Sequence, residues 1–235
     1  MSDLEKFPGL ARRPWLRAAW YTWYTPVAAV LLLAAFAAVR GRRHRDLPYY
    51  SDETFTPRWM TAGSPELDSV PRVGAFALTD QSGAAFTERD MSGRVTVVNF
   101  FYSRCGDICP VTRGRLRRIA AQYASDNRVV LLSHTVTPHA DSVARLALLG
   151  EAEGIDAKHW HMLTGADTTL QRLERDTYHL IPATAKSWGV DSIAHTERVL
   201  LVDQSGRIRG VYNGTLALEM ENLRADLDLL LAAPH

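Results

Sequence analysis

The apolar residues of this chain change their period several times, and each change marks an element. Val95 to Tyr102 reads Val-Thr-Val-Val-Asn-Phe-Phe-Tyr, a β-branched and aromatic run that predicts a buried central strand. After Pro110 the apolar residues fall at Leu116, Ile119, Ala120 and Tyr123, the stripe of an amphipathic helix. Pro110 suits the first turn of that helix, where its missing N–H costs nothing. Val129 to Thr135 predicts a second buried strand, Ser142 to Glu153 a helix, and His159 to Leu163 a third strand. A further helix is expected from Asp167 to Asp176. Val199–Asp203 and Ile208–Tyr212 flank Gln204-Ser-Gly206 as a hairpin, and Phe76 to Phe86 reads as another. The last helix, from about Leu216, carries Leu216, Met220, Leu223, Leu227 and Leu230 on one stripe. Strands alternating with helices imply parallel pairing, and the terminal hairpin adds antiparallel strands. The expected class is α/β.

Two segments fall outside that rhythm. Ala18 to Val39 holds no charged residue and is bounded by Arg17 and Arg40, a length matching the ~20 residues that cross a bilayer. Trp15, Trp20, Tyr21, Trp23 and Tyr24 cluster at its start like an interfacial aromatic belt. The uncharged run is too long for the apolar h-region of a signal peptide, and Arg40-Gly-Arg-Arg-His-Arg45 stands where cleavage would occur. An uncleaved transmembrane helix at 18–39 is therefore expected, after an N-terminal tail at 1–17 and before a basic flank and linker at 40–70. Residues 46–70 are rich in Pro, Ser, Thr, Asp and Glu without apolar periodicity, and read as a tether to a domain at 71–235. Four basic residues on each side of the span leave its orientation undecided by charge.

Charge excludes one class of partner. The first 45 positions hold 8 of the 27 basic and 2 of the 26 acidic residues, leaving 19 against 24 in the remainder. Such a domain lacks the electrostatic footprint of a nucleic-acid binder. Arg113, Arg115, Arg117 and Arg118 crowd the helix after Pro110. They read as a solvated face, or alternatively as a docking patch for an acidic partner.

The chemistry lies in the two cysteines of the chain, Cys105 and Cys109, within Tyr102-Ser-Arg-Cys-Gly-Asp-Ile-Cys-Pro110. Thiols four residues apart at a strand-to-helix turn can converge, and helix N-terminal N–H groups with Arg104 nearby favour thiolate. A soft metal ion, a dithiol/disulfide switch, or both fit such a pair. With no further cysteine a four-thiolate zinc site cannot form, so a third metal ligand must come from elsewhere; two thiolates and one imidazole suit copper.

Cys-x-x-x-Cys-Pro, the strand before it, both hairpins and Ala194-His195-Thr196 together resemble the SCO/SenC family from about Val73 to the C-terminus. Those proteins are membrane-anchored, thioredoxin-fold copper chaperones used in cytochrome c oxidase assembly. The resemblance implies a thioredoxin-like domain exported beyond the inner membrane, facing the periplasm or cell exterior. It also implies Cu(I) or Cu(II) held by Cys105, Cys109 and His195, and delivery to the dinuclear CuA centre of an oxidase subunit. A copper donor or a thiol reductase would be further partners. The rival reading is a thiol-disulfide oxidoreductase acting on the CuA-site cysteines, with Cys105 attacking; a redox or copper sensor is a third. One departure is Ala194, where the family usually has an acidic residue before the histidine, so a carboxylate that would orient the imidazole is missing.

The other histidines are weaker candidates. His195 lies in the polar stretch Ser187–Glu197, where a loop can fold over the cysteines. His134 and His139, after the second strand, are auxiliary ligands or proton donors if they reach the site, and otherwise hydrogen-bonded strand-end residues. His159 and His161 alternate along one strand and read as surface positions. His44 belongs to the basic flank. Asp107 is a hard donor ill matched to copper, and Tyr178, His179 and Trp188 could shield the site or pack a loop.

Overall fold

The structure, a computed structural model, describes residues 26, 28–31, 47–52, 54–61, 63–180 and 197–233. It divides into a unit of residues 1–45 and a unit of residues 46–235. In the first, residues 26 and 28–31 are helical and exposed. Among the described residues no helix is long and apolar enough to cross a membrane. The span expected at 18–39 falls mostly outside them.

The second unit is built on a five-stranded sheet. Its strands are β3 (Val95–Phe101), β4 (Val129–Thr135), β5 (Trp160–Leu163), β6 (Arg198–Val202) and β7 (Ile208–Asn213), in the order β5-β4-β3-β6-β7. β3 pairs parallel with β4, and β4 with β5, whereas β6 and β7 run antiparallel. Helices α1 (Ile108–Gln122), α2 (Val143–Glu153), α3 (Asp167–Arg172) and α4 (Ala217–Ala232) complete the layers. A separate hairpin joins β1 (Ala77–Thr79) to β2 (Ala85–Thr87).

Every residue of β3 and of β4 is buried, which is why both read as continuous apolar runs instead of alternating ones. Their side chains still alternate in space. Val95, Val97, Phe101, Val129 and Leu131 join α1, Leu146 of α2 and α4 in one core. Val98, Phe100, Val130 and Leu132 join Leu170 of α3, Phe76, Phe86 and Tyr178 in the other. Both hairpins turn on the same tetrapeptide, Asp-Gln-Ser-Gly, and both aspartates accept from the serine N–H and hydroxyl two residues on. Gly83 and Gly206 take φ of +85° and +83°, a conformation that favours glycine.

Three expectations need correction. Residues 47–58, read as part of a tether, pack on the domain: Leu47 and Tyr49 are buried and Tyr50 bridges Ile208. The anchor is Arg209, which donates to the Leu47 and Pro48 carbonyls and lies 3.9 Å over the Tyr49 ring. A long-range cation organises a stretch whose own sequence has no period. The helix expected over 167–176 is α-helical only to Arg172, then widens into a π turn over Leu173–Thr177 that closes with Tyr178 N–H donating to the Leu173 carbonyl at 2.8 Å. Leu216 precedes α4 as its N-cap and is 53% exposed, so the stripe begins at Met220.

Candidate functional site

At the C-terminal end of β3 the chain leaves the sheet through a tight turn. Cys105 N–H donates to the Tyr102 carbonyl at 3.2 Å, folding Tyr102–Cys105 back on itself. Helix α1 then starts at Ile108, so Cys109 occupies its first turn and Pro110 follows where an N–H would have no partner. Both cysteines are free thiols, each 7% exposed. Cys109 N–H points at the Cys105 sulfur, 3.4 Å away.

The two sulfurs have opposite electrostatics. Burial alone would push Cys105 up, but the Cys109 thiol, the Asp107 and Cys109 N–H groups and the Tyr102 hydroxyl all donate to it, and the net shift is downward. Burial and its hydrogen bond to Cys105 push Cys109 up to about 12, against a smaller opposing pull from Arg113. One thiol is primed to ionise and the other holds its proton. Tyr102 is pushed up in turn, chiefly by negative charge on Cys105.

Helix α2 braces this segment at both ends. At its C-terminal end, Glu153 pairs at 2.8 Å with Arg113 of α1, which is 4% exposed and whose Nε donates to both carboxylate oxygens. Before its N-terminal end, the fully buried Asp141 accepts from Ser103 N–H at 3.1 Å. Sequence reasoning missed Tyr102 as a donor, and missed Asp141 and Glu153. Tyr102 stood within the quoted motif, whereas Asp141 and Glu153 are far from the cysteines along the chain and no sequence pattern links them.

The arginine cluster divides accordingly. Arg113 is buried in its ion pair, Arg115 donates to the Thr215 carbonyl and Arg117 to the Glu153 carbonyl, while Arg118 is exposed. A wholly solvated face is therefore the wrong description. Arg104 and Asp107 are exposed, and Asp107 contributes its backbone N–H rather than its carboxylate.

The histidines do not converge among the described residues, and no group of three or more His, Cys, Asp or Glu there could hold a metal ion. His195 lies outside the described residues, as do Trp188 and His44. His134 is fully buried in the core opposite the cysteines, its ring 5.0 Å from Phe100 and 5.7 Å from Tyr178. It is no ligand for this pair, because the alternation of β4 turns it to the other face. Burial pushes it down to about 3, against a smaller opposing pull from the Asn99 backbone. His139 pairs at the surface with Asp167 at 2.7 Å. His159 and His161 are not surface residues as expected: His159 is 7% exposed, and His161 is held 2.9 Å from the buried Asp80. Tyr178 packs the core rather than shielding the thiols.

Residues 65–231 match the family model described as SCO1/SenC. A Stutzerimonas stutzeri protein named for copper binding is 30% identical over 147 residues, covering 60% of this chain and 69% of that relative. Among solved structures, BsSco, a member of the Sco family of cytochrome c oxidase assembly proteins in which a disulfide switch was identified, is similar with a TM-score of 0.59. It is 19% identical, over 69% of this chain and 95% of that one. The copper-bound ScoI of Bradyrhizobium japonicum has a TM-score of 0.52 at 23% identity, over 68% of this chain and 99% of its own. These likenesses establish the thioredoxin-like α/β fold.

Proposed function

The chain belongs to the SCO1/SenC family, and on that premise we propose that it is a copper-binding factor for cytochrome c oxidase assembly. The observation that carries this reading is the pair of free, adjacent thiols on the β3–α1 turn, one of them held toward thiolate. Soft sulfur donors so disposed fit copper, and the relative named for copper binding and the copper-bound ScoI support the choice.

In this reading Cys105 and Cys109 supply two ligands and His195 the third. Copper is cargo, passed by ligand exchange to the CuA centre of an oxidase subunit. Binding displaces the thiol protons, so the donor set must be reduced. Cys105 offers its sulfur first, since its donors favour the anion, and Cys109 gives up its proton only against the incoming cation. The helix at 18–39 anchors the chain in the inner membrane, with residues 46–235 outside the cytoplasm.

The test is copper binding by the reduced chain and by His195→Ala, followed by the Cu(II)–thiolate absorption band. Replacing one of three ligands should lower affinity by orders of magnitude and collapse the band, while the cysteines still oxidise and reduce. Full binding by His195→Ala would overturn the three-ligand site.

A second reading has its own observation. A thiol with lowered pKa beside one raised to about 12 is the asymmetry of an attacking and a resolving cysteine. As a thiol-disulfide oxidoreductase the chain would reduce the oxidase's CuA cysteines and would not require His195. Oxidase assembly that survives His195→Ala without copper binding would favour this role.

A further inference from the structure

Asp141 is a carboxylate with no exposure, set at the end of the loop between β4 and α2. One oxygen, Oδ2, collects three donors: Ser103 N–H at 3.1 Å, the Thr135 hydroxyl at 2.5 Å and the Thr137 hydroxyl at 3.0 Å. Thr135 in turn accepts from Thr137 N–H at 3.0 Å, and Arg145 Nε donates to the Ser103 hydroxyl at 3.3 Å. Oδ1 has no partner. A buried carboxylate is costly unless its surroundings compensate it, so its placement here calls for a reason.

The reason lies in what Ser103 is. It is the first central residue of the Tyr102–Cys105 turn, and the hydrogen bond closing that turn, from Cys105 N–H to the Tyr102 carbonyl, leaves Ser103 N–H unused. Asp141 captures it. The carboxylate thereby joins the point where β3 releases the chain to the end of β4, two residues before the reactive sulfur. A charge-assisted bond at that point fixes the turn better than a neutral acceptor would. Cys109 is fixed independently, because α1 is tied to Glu153 through Arg113. The spacing of the two sulfurs is then set by one helix, α2, clamped at both ends.

We propose that Asp141 is a positioning residue for the cysteine pair, holding the Tyr102–Cys105 turn so that the Cys105 sulfur stays within closing reach of Cys109. The proposal rests on the proposed role of that pair and extends it to a residue 36 positions away in sequence from Cys105. Its consequence is a high effective concentration of one thiol at the other.

The readout is the dithiol–disulfide equilibrium of the whole chain against glutathione. In that exchange two glutathione thiols become one glutathione disulfide while the Cys105–Cys109 disulfide takes up two electrons and two protons. Asp141→Ala should shift the equilibrium about tenfold or more toward the dithiol, which is about 30 mV for a two-electron couple. Asp141→Asn should shift it in the same direction by less, since an amide oxygen in the place of Oδ2 can still accept from all three donors but without the charge that strengthens those bonds. Thr137→Val, which removes one donor, should give the smallest shift of the three and keeps the test alive if Asp141→Ala does not fold. An equilibrium within twofold of the unmodified chain in Asp141→Asn and Thr137→Val, even with lowered melting temperature, would make Asp141 structural only and overturn the proposal. Copper binding by the unmodified chain is measured alongside; its absence would overturn the metal reading whatever the Asp141 variants do.

Discussion

At the scale of single residues, the same burial acts on Cys105, Cys109 and His134, and its outcome depends on the polar neighbours of the charged form. Cys105 is buried among four donors and is pulled toward the anion, whereas Cys109 beside it has few and is pushed up to about 12. His134 lies among Phe76, Phe100 and Tyr178, where burial outweighs a backbone contact with Asn99, so its ring stays neutral. That last environment predicts a pH dependence. In the unfolded chain a histidine binds its proton below about pH 6.5, but in the folded protein His134 does so only near 3. Between those values the unfolded state holds more protons, so stability rises with pH and falls as the solution is acidified. Urea unfolding at pH 7 and pH 4 should show a smaller loss of stability in His134→Phe than in the unmodified chain. Equal losses would place the acid sensitivity elsewhere. None of this was visible in the sequence, where His134 looks like any strand-end histidine.

Elements show a different division. β3 and β4 were readable end to end, because strands buried on both faces need unbroken apolar sequence. Helix α2 was equally readable, with Ser142 accepting from Arg145 N–H at its start and Gly154 in the left-handed conformation at its end. What α2 does was not readable, since its work is done by Asp141 and Glu153 just outside and at the end of its apolar stripe. Glu153→Ala would leave Arg113 buried at 5% side-chain exposure without its partner. Chemical denaturation should register a loss of about 3 kcal/mol, and Arg113→Met with Glu153→Ala should recover part of it. The close approach of α1 to the end of β7 is similarly a matter of packing: a side chain at Gly214 would meet Thr112 at 2.7 Å and Val199 at 2.9 Å. Residues 47–58 illustrate the reverse error, in which polar composition suggested a tether while Arg209 supplied the structure.

For the whole molecule, the proposed anchor and exported domain make a topological prediction. A reporter fused after His235 should be active if it functions only outside the cytoplasm, where an oxidising compartment allows the thiols to cycle. Activity from a cytoplasmic reporter at the same position would reverse the orientation and remove the oxidase client from reach.

The sequence by itself determined the α/β class, nearly every strand and helix of the second unit, and the cysteine turn with its family. Those properties rest on local periods, on turn residues such as the two Asp-Gln-Ser-Gly tetrapeptides and on a four-residue spacing, all of which are written in consecutive positions. Tertiary structure alone decided which sulfur is favoured as thiolate, which face receives His134 and which carboxylates steady the thiols. Burial, hydrogen-bond donors and ion pairs arise between residues as far apart as Ser103 and Asp141 or Arg113 and Glu153. Their energies depend on distance in space, which no pattern along the chain encodes.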